Sequence, residues 1–472
     1  MIATGNLLAV GAGRLMLERG GSAVDAAIAA DIVMGVVEPM ATSIGGDLLA
    51  MVVEPSGKPI SYNGTGRSAL AFTPELLKDF PDFQIPERHV HTITTPGVVR
   101  GWWDLHQKYG KLDWSELFAT GIEVATNGFA VSKVCAGEWK LFDKVLHADK
   151  TSAKLFRAGN PPVEGEIFSN LDLAGVLENI QRLGPNGFYE DYPAAACVEA
   201  VQSHGGVLGM IDFVSHTGNF CAALEGRFKD VTVLECPPNT HGVAVLDALK
   251  LLDELECRLD DPSLFLKSIQ AMEVGMQNAK KTVADPGGNT VCTVVVDCDG
   301  LAITLMTSVF KRFGSGISAP GCGFALQNRG FGFSAPGHIN GIAPVKRPFH
   351  TVVPAAALKN GKFFAGFGVV GGAMQPQGQL QLLLRVVGAN QNLKDALDAP
   401  RWRLEGGKSL AIELGMPENI VNLLRGAGYN QPNNGELGGR SDFGGAQWIM
   451  RSENGDLEGV SDKRKDGGVW GS

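Results

Sequence analysis

The chain has 472 residues, 44% of them hydrophobic and 19% charged, with a formal net charge of −9 and a sequence pI of about 5.6. That length can bury a large core, while the acidic balance offers no electrostatic footprint for nucleic acid or an anionic membrane surface. No run reaches the ~18 apolar residues of a membrane span, so a small molecule is the expected partner. The eight cysteines include no Cys-x-x-Cys pair and Met1–Asn6 lacks a basic-then-apolar leader pattern, which together point to reduced core thiols, a cytoplasmic location, and no metal or cofactor.

In chain order, the Ala- and Gly-rich segment 20–47 carries Ser22 three residues before Asp25, a capping-box spacing that predicts a tightly packed helix over Ala26–Ala30 and beyond. Leu48–Val53 and Pro59–Tyr62, joined by Pro55-Ser56-Gly57, read as a β-hairpin. Residues 97–279 read as mainly helical, with Trp102, Trp103 and Leu105 on the first apolar face. At Thr290 the period changes: Thr290–Val296 is β-branched, turns at 297–300, and returns as Leu301–Met306. A second hairpin, Val352–Leu358 and Phe363–Val369 about Asn360-Gly361, runs into Gly371-Gly372 and a helix reaching Val387. Hairpins among helices, without βαβ alternation, predict antiparallel sheets covered by helices.

His-Glu-x-x-His, Gly-x-Ser-x-Gly and phosphate-loop signatures are missing. What stands out is Thr290 at the start of a buried-looking strand, after the Pro- and Gly-containing stretch Asp285–Asn289. If the bond before it were cut, its α-amino group could serve as base for its own hydroxyl; on spacing alone an ordinary strand-opening threonine is the alternative. Gly371-Gly372 stand before a helix with Pro376 in its first turn, where unpaired N–H groups could receive an oxyanion; a tight turn needing glycine only for its backbone angles is the alternative. Arg67, Arg312, Arg329 and Arg347 are candidates for a substrate carboxylate, because a planar guanidinium binds it bidentately; surface or structural ion pairing is the alternative for each.

Arg19–Ala27, Glu38-Pro39 with Gly45-Gly46-Asp47, Pro96–Val99, Phe313–Gly316, Lys346-Arg347-Pro348, Ala399–Trp402 and Ser461–Gly467 resemble, in order and spacing, the gamma-glutamyltranspeptidase family of N-terminal-nucleophile hydrolases. The resemblance spans nearly the whole chain. It implies an α+β, four-layer αββα sandwich, a single domain over 1–472, and self-cleavage into associated segments 1–289 and 290–472. It puts Thr290 on the nucleophile and Gly371-Gly372 on the oxyanion-hole pair. The glutamyl pocket departs from the family: Asn63 stands for an Arg, Phe310 and Gly332 for an Asn and an Asp, His350-Thr351 for paired serines, and Arg329 for a Gln. Val291-Cys292 replace the Thr-His after the nucleophile. Asn63, Ser308, Arg329, Arg347, His350 and Thr351 are therefore the substrate-binding candidates. The expected activity is hydrolysis of an amide bearing a carboxylate, oxamate-type amidates among them, through an acyl-enzyme. A rebuilt gamma-glutamyl enzyme and a silent binding protein are the rivals, and a homodimer is left open.

Overall fold

The structure, a computed structural model, describes residues 1–283, 289–430 and 443–471. Residues 285–288 of the stretch leading to Thr290 lie outside the described residues, and of Asn289 only the backbone is described.

The capping box forms as expected: Ser22 accepts from the Asp25 N–H, and the Asp25 carboxylate accepts from the Ser22 N–H at 2.8 Å. The helix it opens, Ala23–Val37, is buried along its whole length. An all-round apolar helix has no face to give to water, and this one lies between Leu7–Glu18 and the first sheet.

That sheet has seven strands in the order Gly468–Trp470, Ile2–Thr4, Asn289–Val296, Ala302–Phe310, Asp47–Val53, Pro59–Asn63, Asn219–Cys221, each pairing antiparallel. The period-2 alternation divides its side chains cleanly. Val291 and Val295 join the helical core of Ala23–Val37. Cys292, Val294 and Val296 face the other way and pack with Ala356, Leu358, Phe363 and Ile449 of the second sheet. The second sheet has six strands, in the order Leu457–Ser461, Ala446–Arg451, Lys362–Val369, Ala355–Lys359, Val231–Glu235, Leu224–Phe228. Its outer face is covered by Val243–Leu252, Pro262–Thr282 and Met374–Leu383. The result is the αββα layering expected from the hairpins and the resemblance.

Four expectations change. The stretch read as helical contains the strands Asn219–Cys221, Leu224–Phe228 and Val231–Glu235; Val231–Glu235 pairs locally with Leu224–Phe228 and on its other side with Ala355–Lys359, more than a hundred residues away. The second hairpin starts at Ala355 rather than Val352, because the Val353 peptide is hydrogen-bonded by Gln375 and Gln379 side chains. The helix after Gly372 ends at Leu383 and continues as a π-turn, Leu384–Gly388. All eight cysteines are free, but Cys298 is exposed and Cys221 half-buried, so they are not all core thiols. No helix among the described residues is long and apolar enough to cross a membrane.

The C-terminal motif is structural. Buried Asp462 accepts from Arg401 at 2.5 Å, from Arg464 at 3.0 Å and from the Ala446 N–H at 3.0 Å. Burial opposes its charge, yet Arg401 and Arg464 and two backbone N–H groups hold the carboxyl below the usual range. Asp462→Ala leaves the buried Arg401 guanidinium without its carboxylate, while Arg464 keeps Glu413, and should cost about 3–5 kcal/mol in urea unfolding. A depressed folded pKa stabilises the fold above the unfolded value of about 3.9 and loses that contribution as pH falls through the folded value. The parent should therefore lose stability more steeply than Asp462→Ala below about pH 4, measured as ΔG of unfolding against pH.

Candidate active site

Thr290 opens its strand from within the molecule, fully buried. The register sets Val291 opposite Thr307 and Asn289 opposite Phe310, so a bulge places Ser308 and Val309 across from Thr290. Ser308 pairs in turn with Asp47 on the next strand. By strand alternation, Thr290, Ser308, Asp47 and Asn63 all point into the space between the sheets.

The second sheet contributes from its loops. Gly371 and Gly372 follow Lys362–Val369 with φ of 113° and 62°, a left-handed geometry that favours glycine. Their carbonyls accept from Met374 and Gln375, starting the next helix. Neither N–H finds an acceptor among the described residues, the unpaired condition an oxyanion hole needs. Three residues on, Gln375 donates its amide to Thr290 Oγ1 at 2.7 Å. The glycine turn and the Thr290 strand are thereby joined by one side chain.

Beside Thr290 the substrate-binding candidates form a network centred on Asp47, which the sequence reading did not assign a role. Asp47 Oδ1 accepts from the Gly66 N–H at 2.7 Å and from Gln327 at 3.0 Å. Its Oδ2 lies 3.2 Å from His350 Nε2 and 3.7 Å from Arg329 Nε. Burial pushes this carboxyl up, but the His350 hydrogen bond, the nearby Arg329 charge and the Gly66 N–H together bring it below its ordinary value. Gly66 can have no side chain: a Cβ there would lie 1.7 Å from the Thr95 carbonyl oxygen.

Arg329 is wholly buried; it also donates to Thr351 Oγ1 at 3.2 Å and Ser308 Oγ at 3.1 Å, with its guanidinium 4.1 Å from the centre of the Phe310 ring. Desolvation lowers it to about 9. His350 accepts the Val352 N–H on Nδ1 at 3.2 Å, so Nε2 carries the proton and donates to Asp47. Burial, with Arg329 nearby, lowers His350 to about 4, leaving it neutral at pH 7. Asn63 spends its side chain on Asn239 and Thr65. Gly332 stands under the Asn340 amide and offers no charge. The positions at which the pocket departs from the family are thus occupied by a set that largely satisfies itself.

Of the four candidate arginines, Arg312 is ion-paired with buried Glu138 and Arg329 with Asp47. Arg67 and Arg347 differ. Both are half-buried and both donate to the Thr217 carbonyl; Arg347 also holds the Thr65 and Asn63 carbonyls and Asn219 Oδ1. Neither meets a carboxylate among the described residues. Arg347 is lowered to about 10, first by burial and then by the charge of Arg67.

The sequence pattern of the gamma-glutamyltranspeptidase family matches residues 9–289 and 286–472, two stretches that meet just before Thr290. The chain belongs to the gamma-glutamyltranspeptidase family. It is 30% identical over 521 residues to the glutathione hydrolase-like YwrD proenzyme of Bacillus subtilis, covering 100% of this chain and 98% of that one. It is 28% identical over 507 residues to the oxamate amidohydrolase proenzyme of Klebsiella pneumoniae, covering 97% and 95%. The crystal structure of a cephalosporin acylase from Bacillus halodurans superposes with a TM-score of 0.92 at 30% identity, covering 100% of this chain and 96% of that chain. Membership of this gamma-glutamyltranspeptidase family makes the protein an enzyme of the N-terminal-nucleophile class.

Two site residues had weaker signals in the sequence. Asp47 closes the Gly45-Gly46-Asp47 motif and Gln375 follows the glycine pair, but nothing local shows what either touches. The network predicts that Asp47→Ala, which strands a buried Arg329 cation, lowers stability by about 3–5 kcal/mol. Urea unfolding of a Thr290→Ala background, uncoupled from processing, measures it; a change below about 1 kcal/mol would deny Asp47 this role.

Proposed function

We propose that this member of the family cuts itself before Thr290 and then hydrolyses the amide bond of a small, carboxylate-bearing substrate. The observation that carries the reading is the Gln375 bridge, which ties the Thr290 hydroxyl to a glycine turn whose two N–H groups meet no acceptor among the described residues. In self-cleavage the Thr290 Oγ1 attacks the Asn289 carbonyl carbon, the C–N bond breaks as nitrogen takes a proton, and water hydrolyses the resulting ester. This frees the Thr290 α-amino group. In turnover that amine takes the hydroxyl proton as Oγ1 attacks the substrate carbonyl, then gives it to the leaving amine. Water hydrolyses the acyl-enzyme, with the Gly371 and Gly372 N–H groups receiving the oxyanion in both halves.

The segments 1–289 and 290–472 would stay together, since strands Asn289–Val296 and Ala302–Phe310 lie between Ile2–Thr4 and Asp47–Val53 in one sheet. The name of the Bacillus subtilis relative points to glutathione, whereas that of the Klebsiella pneumoniae relative points to oxamate. The pocket favours the second kind. A zwitterionic glutamyl head would meet Asn63, Phe310 and Gly332, with unpaired and partly desolvated charges costing on the order of several kcal/mol. A single carboxylate finds Arg67 and Arg347, the candidate arginines that meet no carboxylate among the described residues. Ser308, Arg329, His350 and Thr351, linked through Asp47, would supply the polar contacts beside Thr290.

Mass spectrometry should recover a chain beginning Thr-Val-Cys-Thr, and Thr290→Ala should remain one chain without activity. An active preparation with the bond intact would exclude this mechanism. For specificity, kcat/KM for short dicarboxylic monoamides should exceed that for a gamma-glutamyl amide; a gamma-glutamyl preference of about tenfold, or ~1.4 kcal/mol, would give the pocket to the glutamyl group instead. Arg67→Met, which leaves the Arg347 bonds in place, should raise KM for the monoamides about tenfold or more, as expected for losing a charged hydrogen bond, and leave a neutral amide unaffected.

A further inference from the structure

We infer that Gln375 is a catalytic hydrogen-bond donor to Thr290, locked in one orientation so that its N–H faces the Thr290 oxygen in both self-cleavage and turnover. This rests on the reading of Thr290 as the nucleophile. A carboxamide can present either oxygen or nitrogen to a hydroxyl, and which it presents decides what it does. Here the choice is forced from the far side. The Val353 N–H, which can only donate, lies 3.0 Å from Gln375 Oε1, so Nε2 must face Thr290 Oγ1 at 2.7 Å. Gln375 is fully buried, so no water competes for either end.

The Val353 peptide is itself held from the other side. Gln379, one helical turn after Gln375, donates to the Val353 carbonyl at 2.7 Å. Gln377 and Gln381 reach instead to the segment 402–404, accepting from the Leu404 and Trp402 N–H groups at 2.7 and 3.0 Å. Four glutamines at alternate positions of one buried helix therefore divide their work. Three tie the helix to backbone, and only Gln375 reaches a side-chain hydroxyl.

With one lone pair of Oγ1 occupied by Gln375, the hydroxyl proton must point elsewhere. When Oγ1 bonds to a carbonyl carbon, that proton leaves to the attacked nitrogen or to the Thr290 α-amine, and Gln375 keeps both of its own. When water later attacks the ester, the Thr290 α-amine takes a proton from it, the C–Oγ1 bond breaks and charge returns to Oγ1. The same N–H stabilises the departing oxygen until it is reprotonated by the α-ammonium. A donor fixed on the nucleophile oxygen thus assists wherever that oxygen carries charge.

Self-cleavage supplies a readout that needs no known substrate. The first-order loss of the intact chain, made by cell-free synthesis with a brief pulse of label, is followed on denaturing gels across pH for the parent, Thr290→Ala, Gln375→Met, Gln375→Glu and Gln379→Leu. Gln375→Met should slow cleavage about 10²–10³-fold, the usual cost of one oxyanion-type donor, and should lower kcat on the best monoamide with little change in KM. Gln375→Glu should show a dependence of opposite sign to any structural defect. Its protonated carboxyl still donates at low pH, and its rate relative to the parent falls as pH rises and the carboxyl ionises. Gln379→Leu loosens the same Val353 peptide without reaching Thr290, so it should lower Tm and keep the parent's pH profile. Cleavage by Gln375→Met within threefold of the parent, or a Gln375→Glu profile that parallels the parent, would overturn the assignment while an inert Thr290→Ala left the nucleophile reading standing. Cleavage of Thr290→Ala at the parental rate would remove both.

Discussion

A carboxylate placed between two packed sheets, out of reach of water, must be met by donors from several directions, and Asp47 is in that position. Its four partners come from the loop at Gly66, from the segment carrying Gln327 and Arg329, and from His350 before the second sheet. Each also holds something else. Gly66 brings the turn after Asn63 against Thr95, Arg329 bonds Ser308 beside Thr290, and His350 receives the Val352 N–H one residue before the peptide that orients Gln375. The alignment of the two sheets at this end is thus set by the need to satisfy one buried charge. A buried ion is weak evidence for stability but a strong constraint on geometry, because few arrangements compensate it.

The electrostatic outcome is specific. Asp47 and Arg329 cancel, and His350 is neutral at pH 7, so the wall beside Thr290 is polar but close to uncharged. Arg67 and Arg347 hold backbone carbonyls and meet no carboxylate among the described residues. Such a division suits a nucleophile whose base is an amine, since a free carboxylate beside it would raise the amine's pKa and hold it protonated.

The parts of this arrangement visible in the sequence are those written in local periodicity. The capping box at Ser22, the strand opening at Thr290 and the glycine pair before a helix each declare themselves within a few residues. What could not be read is long-range pairing: His350 lies 303 residues from Asp47, and Gln375 lies 85 from Thr290. The four candidate arginines looked alike in the sequence, and only packing separated the two with acidic partners from the two without. Asn219–Cys221 was lost in a helical stretch for the same reason, since its partner, Pro59–Asn63, lies far off along the chain, whereas Leu224–Phe228 and Val231–Glu235 form a local hairpin that the sequence reading missed.

The departures from the family's glutamyl pocket also read differently once the contacts are known. Taken one at a time, Phe310, Arg329 and Thr351 are lost ligands. In the structure the guanidinium of Arg329 lies over the Phe310 ring and bonds Thr351, so the three substitutions support one another. Contacting residues are the ones whose effects fail to add. Installing Arg329 without Asp47 would bury a cation, and removing Phe310 alone would open a void beside one. Restoring an arginine at Asn63 would set a third guanidinium near Arg347, which already holds the Asn63 carbonyl, and Arg67. The like charges would oppose it with no carboxylate at Gly332 to answer the amino end of a glutamyl group. Phe310, Arg329 and Thr351 are therefore one contacting set, and the effects of changing them singly should not add.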